Sequence, residues 1–182
     1  EEGGYAFDSC DSFQNPEVTL KRRFNNLPIH KMIYYQPYNP ITANQLEEAT
    51  NMRFGERRGL RSDRDGGIKC KLDATGRMKD CIGMTPLHIL ACSSVQNLSL
   101  YKVLIEKYPE NLITNDDWGA YPLLYAVWGS APHEIVGFLA RSYRSHYPDH
   151  QFDWVGMVRT LGDGSASLDV VQNLLNVQQD YF

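Results

Sequence analysis

His88 and Cys92 are the two residues best spaced to hold a metal ion. Four residues apart on a helix, their side chains would lie on one face, and imidazole and thiolate are both common zinc ligands. A structural zinc site needs further ligands, and no second close pair supplies them. The remaining cysteines form no C-x-x-C motif: they are Cys10, Cys70 and Cys81. We therefore expect neither a metal site nor any other cofactor.

Catalytic motifs do not occur in the sequence. It contains no G-x-S-x-G elbow, no P-loop and no G-x-G-x-x-G dinucleotide-binding pattern. His133, His146 and His150 lie around the end of one predicted helix, where surface side chains are the simplest interpretation. We expect no catalytic residues and no enzymatic activity.

Composition and charge restrict the classes of partner. The 182 residues include 42% hydrophobic and 22% charged residues, which is typical of a globular chain. A formal net charge of -4 provides no overall field that would attract nucleic acid. The longest apolar runs, such as residues 123–128, are far shorter than the roughly 20 residues of a membrane-spanning helix. The expected partner is another protein, not nucleic acid, a membrane or a small-molecule substrate.

The cysteines also bear on the compartment. Four cysteines in a chain of this size do not match a small disulfide-rich scaffold, and they favour free thiols in a reducing environment. We expect an intracellular location, either as a soluble protein or as a peripheral subunit.

A repeat of 36 residues dominates the second half of the sequence. Residues 83–91 (GMTPLHILA) and 119–127 (GAYPLLYAV) share Gly, Pro and Leu at equal offsets. Glycine allows a positive φ in a turn, Thr85 can cap a helix, and proline fits the first helical position. Each copy therefore predicts a turn followed by a helix.

A second helix is predicted after each of these first helices. Apolar residues recur at i, i+3, i+4 and i+7 and each run stops at a proline; the residues are Tyr101, Leu104, Ile105, Tyr108 and Val136, Leu139, Ala140, Tyr143. In a weaker third pair, Asp153 caps a helix from Trp154 to about Leu161. The last helix carries the apolar residues Leu168, Val171 and Leu175 and a polar outward face of Asp169, Gln172, Asn173, Asn176, Gln178 and Gln179. Such a face suits a terminal repeat.

Asp80 together with residues 83–88 resembles the ankyrin-repeat consensus Asp-x-x-Gly-x-Thr-Pro-Leu-His. The second copy keeps Asp116, Gly119, Pro122, Leu123 and Ala126. The resemblance covers residues 80–179 and implies a mainly α fold, a short ankyrin-like helical solenoid of about three helix pairs. It also implies that His88 is a structural residue that bonds to backbone groups.

The beginning of the chain carries another resemblance. Residues 5–13 (YAFDSCDSF) resemble the Ala-Phe-x-x-Cys phrase of BspA-type leucine-rich repeats. With the ankyrin-like half, the whole is similar to uncharacterised leucine-rich-repeat and ankyrin-like proteins of diatoms. The resemblance implies that this chain is the C-terminal part of such a protein.

Residues 1–52 are predicted to form an irregular α/extended leader that contains this leucine-rich-repeat-like remnant and short helices. Residues 29–38 lie between two prolines and are rich in β-branched and aromatic side chains, which predicts an extended segment. Thr42 and Gln45 match a capping box and predict a helix from Ala43 to about Asn51.

Residues 53–79 form a basic segment between the leader and the repeat domain. They contain nine basic and four acidic residues, a charge of +5, and few apolar residues. Ordering a residue costs roughly 1–2 kcal/mol, so we expect a flexible loop. The loop either folds back on Asp116 and Asp117 or binds an acidic partner.

The ankyrin resemblance implies a non-catalytic protein-interaction scaffold whose concave face binds a partner. The expected partner-binding residues are Ile82, Met84, Asp117, Trp118 and Trp128 on that face, with Arg57, Arg58 and Arg61 in the basic loop. Alternatively, residues 34–38 cover this face within the molecule. A different class of function is a structural subunit, docked in a larger assembly through the leader and the loop.

Overall fold

The computed structural model describes residues 23–24, 26–51 and 74–182. In these ranges the chain is helical and has no strand, which confirms the expected mainly α class. The α-helices are α1 (Pro28–Tyr35), α2 (Ala43–Asn51), α3 (Pro86–Ala91), α4 (Leu98–Lys107), α5 (Pro122–Trp128), α6 (His133–His146), α7 (Trp154–Asp163) and α8 (Leu168–Tyr181). Two 3-10 helices span Ala74–Arg77 and Pro109–Leu112. Within the described ranges, every helix is too short or too polar to cross a membrane.

The helices pack in two layers. In the inner layer, α1 packs on α3 and α3 packs on α5. In the outer layer, α2 packs on α4, α4 on α6 and α6 on α8. Consecutive helices also pack on each other, as α1 does on α2, α3 on α4, α5 on α6 and α7 on α8. The described chain is therefore a stack of helix pairs.

The apolar stripes predicted for the outer helices form much of the core. Every predicted position is buried: Tyr101, Leu104, Ile105, Tyr108, Val136, Leu139, Ala140 and Tyr143. Inner-layer residues such as Leu87, Leu90 and Leu124 are fully buried in the same core. Complete burial of one such side chain stabilises the fold by about 1.5–3 kcal/mol, so these side chains hold the two layers together.

Two predicted helix starts are confirmed by their hydrogen bonds. The Thr42 backbone N–H donates to Gln45 Oε1 at 2.9 Å, and the Gln45 N–H donates to Thr42 Oγ1 at 3.2 Å. Asp153 Oδ1 accepts from the Gly156 N–H at 2.8 Å, and this bond caps α7. Both sets of bonds satisfy backbone donors that a helix leaves free at its N-terminus.

The turns before α3 and α5 have the same construction. Gly83 and Gly119 adopt positive φ angles of 78° and 79°, as the glycine pattern predicts. The Asp117 N–H donates to the Ile82 carbonyl at 3.3 Å and connects one turn to the next. Successive turns are thus joined along one edge of the stack.

The prediction of an extended segment over residues 29–38 is wrong, because Pro28–Tyr35 form α1. Pro28 occupies the first helical turn, and Ile29 and Ile33, four residues apart, are both buried. Branched and aromatic residues favour strands where they fit a pleated surface, but no sheet exists here among the described elements. The free energy gained by burying one face of α1 outweighs the preference of these residues for an extended backbone.

The contact between α1 and the turn before α3 resembles the contact between α3 and the turn before α5. His30 Nε2 lies 3.2 Å from the Met84 carbonyl, and His88 Nε2 lies 3.1 Å from the Ala120 carbonyl. The two acceptors are 36 residues apart, whereas the two histidines are 58 apart. The difference of 22 residues equals the length of the segment 52–73.

The apolar face predicted for the last helix is wrong at two positions. Leu168 and Leu175 are 85% and 42% exposed, whereas Leu174 and Val177 are buried. The buried face of α8 is rotated from the predicted one because α8 packs on both α5 and α6. The predicted polar residues are exposed except Gln178, which is half-buried.

The end of the predicted basic loop is packed against the stack. Ala74–Arg77 form a 3-10 helix, and the Gly76 carbonyl accepts a hydrogen bond of 3.0 Å from Asn111 Nδ2. Arg77 Nε lies 3.0 Å from Glu110 Oε1. The rest of the loop, residues 53–73, and the leucine-rich-repeat-like residues 5–13 lie outside the described residues.

Candidate functional site

A groove of about 940 Å³ lies along the inner layer. α1 and the residues after it form one wall with Tyr34, Pro37 and Tyr38. The turns before α3 and α5 contribute Ile82, Met84 and Trp118. The inner helices and the far wall at the end of α7 contribute Ile89, Cys92, Tyr125, Trp128, Thr160, Asp163 and Gly164. Four helices and two turns therefore converge on one concave surface.

The structure brings together four of the predicted partner-binding residues. Ile82, Met84, Trp118 and Trp128 all line the groove. Asp117 is exposed in the turn but is not a lining residue. The loop residues Arg57, Arg58 and Arg61 lie outside the described residues.

The segment from Tyr34 to Tyr38 forms a wall of the groove. Trp118 is 59% exposed and Tyr38 is 81% exposed, so neither ring is buried by the other side of the groove. Val95, at the rim, is 44% exposed. In the described part of the chain, a set of large apolar side chains thus faces solvent at one place.

Trp128 is fixed in the groove by two close contacts. Its indole lies parallel to the Tyr125 ring at 7°, with 6.5 Å between the ring centroids. A methyl group added to Gly164 would lie 2.0 Å from the Trp128 Cη2 atom. The absence of a side chain at position 164 therefore lets the indole sit against the end of α7.

Asp116 holds both Trp118 and Tyr125 in place. Its Oδ1 accepts from the N–H groups of Trp118 and Ala120, each at 2.9 Å. Its Oδ2 accepts from the Tyr125 hydroxyl at 2.5 Å. Burial, followed by this hydrogen bond to a carboxylate, raises the pKa of Tyr125. Tyr125 is therefore a neutral hydrogen-bond donor that connects α5 to the turn that contains Asp116.

Asp80 makes the corresponding contacts in the preceding turn. Its Oδ1 accepts from the Ile82 and Met84 N–H groups at 3.0 and 2.9 Å. The Arg23 Nε–H donates to Asp80 Oδ2 at 2.7 Å. The Tyr125 hydroxyl makes the corresponding hydrogen bond to Asp116 Oδ2. Arg23 lines the groove, but its charge is compensated by the buried Asp80 carboxylate.

Both ring nitrogens of His88 form hydrogen bonds within the protein. Its Nδ1 accepts from the Thr85 N–H at 3.1 Å, so Nε2 carries the proton and donates to the Ala120 carbonyl at 3.1 Å. Burial lowers the pKa of His88 to about 4. Within residues 23–24, 26–51 and 74–182, no cluster of three or more His, Cys, Asp or Glu side chains is arranged to hold a metal ion.

Cys92 lines the groove as a thiol. The residue is exposed to the groove, yet the surrounding protein removes enough water to raise the pKa of its thiol to about 12. A high pKa leaves little thiolate at neutral pH, and the thiolate is the nucleophilic form. Cys92 is therefore suited to contact an apolar ligand rather than to attack one.

Comparisons with protein-family models, curated proteins and solved structures found no match for this chain. The function is therefore inferred from the groove.

From the sequence, residues 34–38 were expected at most to cover the concave face, and the walls that α1 and α7 form were not predicted. The first wall had a signal: Pro28-Ile29-His30 repeats the pattern of Pro86-Leu87-His88. When the three helices are aligned on Pro28, Pro86 and Pro122, Tyr34, Cys92 and Trp128 occupy the same position, six residues after the proline. Asp163 had no comparable signal, because no Gly-x-Thr-Pro turn precedes α7 and its sequence therefore cannot be aligned with the two repeats.

Proposed function

We propose that this chain is a non-catalytic protein-interaction scaffold, built as an ankyrin-like solenoid, that binds a segment of another protein in the groove. The observation that carries this proposal is the convergence of exposed Trp118, Tyr38 and Val95 on one concave surface. Contiguous exposed apolar side chains mark interaction sites, and tryptophan and tyrosine are enriched where interfaces carry most energy.

The repeated turns support the ankyrin-like part of the proposal. Asp80 and Asp116 cap their turns in the same way, and the two glycines have the same positive φ. His88 and His30 each bond to the turn of the next helix pair. Repeats that contact their neighbours in this way form extended binding surfaces.

The chemistry of the groove and of the buried residues beneath it supports binding rather than catalysis. His88 is buried with both ring nitrogens engaged, and the Tyr125 hydroxyl donates to a buried carboxylate. The Cys92 thiol has a raised pKa. A nucleophile paired with a base is what catalysis would need, and these groups are instead used to hold the groove in shape.

The proposal is tested by capture of partners from native extract on tagged chain, with quantitative mass spectrometry. The double variant Trp118→Ala, Trp128→Ala should lose the partner while its far-UV circular dichroism stays unchanged. Val155→Ala with Leu168→Ala is the matched control, because these side chains are 70% and 85% exposed outside the groove. Equal capture by the groove variant and the control would contradict the proposal.

Gly164→Ala tests the shape of the groove without removing an aromatic side chain. The added methyl should displace the Trp128 indole and weaken capture. Gly162→Ala is its control, because a methyl group there meets nothing within 4 Å. A partner that remains stoichiometric in size exclusion with light scattering, whatever the groove variant, would instead indicate the structural-subunit alternative.

A further inference from the structure

Among the residues that the structure describes, two charged side chains line the groove, and they differ in their partners. Arg23 is paired with the buried Asp80, with 2.7 Å between Nε and Oδ2. Asp163 is exposed, and in the part of the chain that the structure describes it has neither an ion-pair nor a hydrogen-bond partner. The groove therefore offers an incoming ligand one uncompensated negative charge.

The position of Asp163 strengthens this negative character. It is the last residue of α7, where the helix carries a partial negative charge at its C-terminus. The next residue, Gly164, packs directly against the Trp128 indole. A carboxylate, a helix C-terminus and an aromatic ring thus lie together at one end of the groove.

Each of these three features attracts a cation. A carboxylate pairs with Lys or Arg, a helix C-terminus favours a positive group, and the face of a tryptophan attracts an ammonium or guanidinium. The other lining residues are mainly apolar and include Ile33, Ile82, Met84, Ile89 and Val95. An apolar segment with one cationic side chain is complementary to both parts.

We propose that the groove binds an apolar segment of a partner protein that carries a lysine or arginine, with the cationic group between the Asp163 carboxylate and Trp128. This inference rests on the proposed scaffold function and names the chemistry of its partner. The cation is expected to improve affinity about 5- to 10-fold over an uncharged side chain, because an exposed ion pair and an exposed cation–π contact are both modest.

Four pools of fluorescein-labelled nonapeptides serve as the probe in fluorescence anisotropy titrations of the full chain. Their central residue is Lys, Arg, Gln or Glu, and the flanking positions vary among Leu, Ile, Val, Ala and Ser. The Lys and Arg pools should bind about 5- to 10-fold more tightly than the Gln pool, and the Glu pool most weakly. Asp163→Asn should remove this order, whereas Asp169→Asn, an exposed carboxylate of α8 outside the groove, should keep it.

The outcomes separate this inference from the proposed function. If all pools bind alike, and Trp118→Ala with Trp128→Ala abolishes binding, the scaffold function stands and the cationic partner is wrong. If no pool binds, the inference is contradicted, and partner capture from extract by the groove variant and its control still decides the scaffold function. A preference that persists in Asp163→Asn overturns the inference. So does tighter binding of the uncharged Gln pool after Arg57, Arg58 and Arg61 are changed to Glu, which would make the chain's own basic segment the occupant.

Discussion

His88 connects one helix pair to the next only in its neutral form. Its Nδ1 must accept from Thr85 while its Nε2 donates to Ala120, and a protonated ring has no acceptor. Burial outweighs the nearby Asp116 and Asp80 carboxylates and lowers the pKa of His88 to about 4. The pKa of His30 is lowered too, also mainly by burial. The two histidines therefore act on stability in the same direction.

We predict that the protein loses stability as the pH falls from about 6.5 toward 4. In this window the unfolded chain protonates His88 and the folded chain does not, so His88 lowers the free energy of unfolding by about 1.4 kcal/mol for each pH unit. The lowered pKa of His30 adds to this loss in the same direction. Urea unfolding at several pH values measures this slope, and His88→Gln should reduce it. A His88 ring resonance that titrates with a pKa near 6.5 in the folded protein would contradict the prediction.

A second residue-scale prediction concerns the hydroxyl of Tyr125. Tyr125→Phe leaves the buried Asp116 Oδ2 without its 2.5 Å donor, and a lost hydrogen bond to a charged group costs about 1.5–3 kcal/mol. Chemical unfolding should show this loss. Tyr38→Phe removes a hydroxyl from a side chain that is 81% exposed and should leave stability unchanged. Equal stabilities of the two variants would show that Asp116 does not depend on Tyr125.

At the scale of elements, the two turns make different demands on glycine. Both Gly83 and Gly119 have positive φ, where a side chain costs roughly 1–2 kcal/mol. At Gly119 a methyl group meets nothing within 4 Å, whereas at Gly83 it lies 2.5 Å from the Asp117 backbone nitrogen. We predict that Gly83→Ala destabilises the protein clearly more than Gly119→Ala, as measured by thermal unfolding. Similar losses of stability in both variants would mean that the Asp117 backbone can move away from the added methyl group at little cost in free energy.

The elements that the sequence predicted well are those with local signals. Prolines 86 and 122 begin helices, Asp153 caps α7, and Thr42 with Gln45 caps α2. α1 was missed because its local composition favours a strand, whereas in the fold it packs on α2, α3 and the 3-10 helix Ala74–Arg77 and buries one helical face. The face of α8 was misassigned because two separate helices, α5 and α6, determine which side is buried.

At the scale of the molecule, the groove was predictable only where the repeat is regular. Ile82 and Trp118, 36 residues apart, come from equivalent turns, and both line the groove. Tyr38 and Asp163 come from opposite ends of the described stack, and no sequence spacing relates them. Their proximity depends on how the first and last helix pairs pack, which is a property of the assembled layers.

Residues 52–73 separate α2 from the 3-10 helix Ala74–Arg77. Deleting these 22 residues restores the 36-residue spacing between His30 and His88 that Met84 and Ala120 have. Both histidines then keep their bonds to the next turn, because the donors and acceptors lie outside the deleted segment. We predict that the shortened chain keeps its helical circular dichroism per residue and a single cooperative unfolding transition.

A second variant, with Gly-Gly in place of residues 52–73, allows for a strained junction. Loop-closure entropy grows as about (3/2)RT ln n, so replacing 22 residues by two should change the free energy of unfolding by about 2 kcal/mol unless the junction is strained. If both lose cooperative unfolding, the segment is part of the fold and α1–α2 is not an independent copy of the repeat. If both retain it, binding of the Lys peptide pool to the shortened chain then shows that the groove functions without the basic segment.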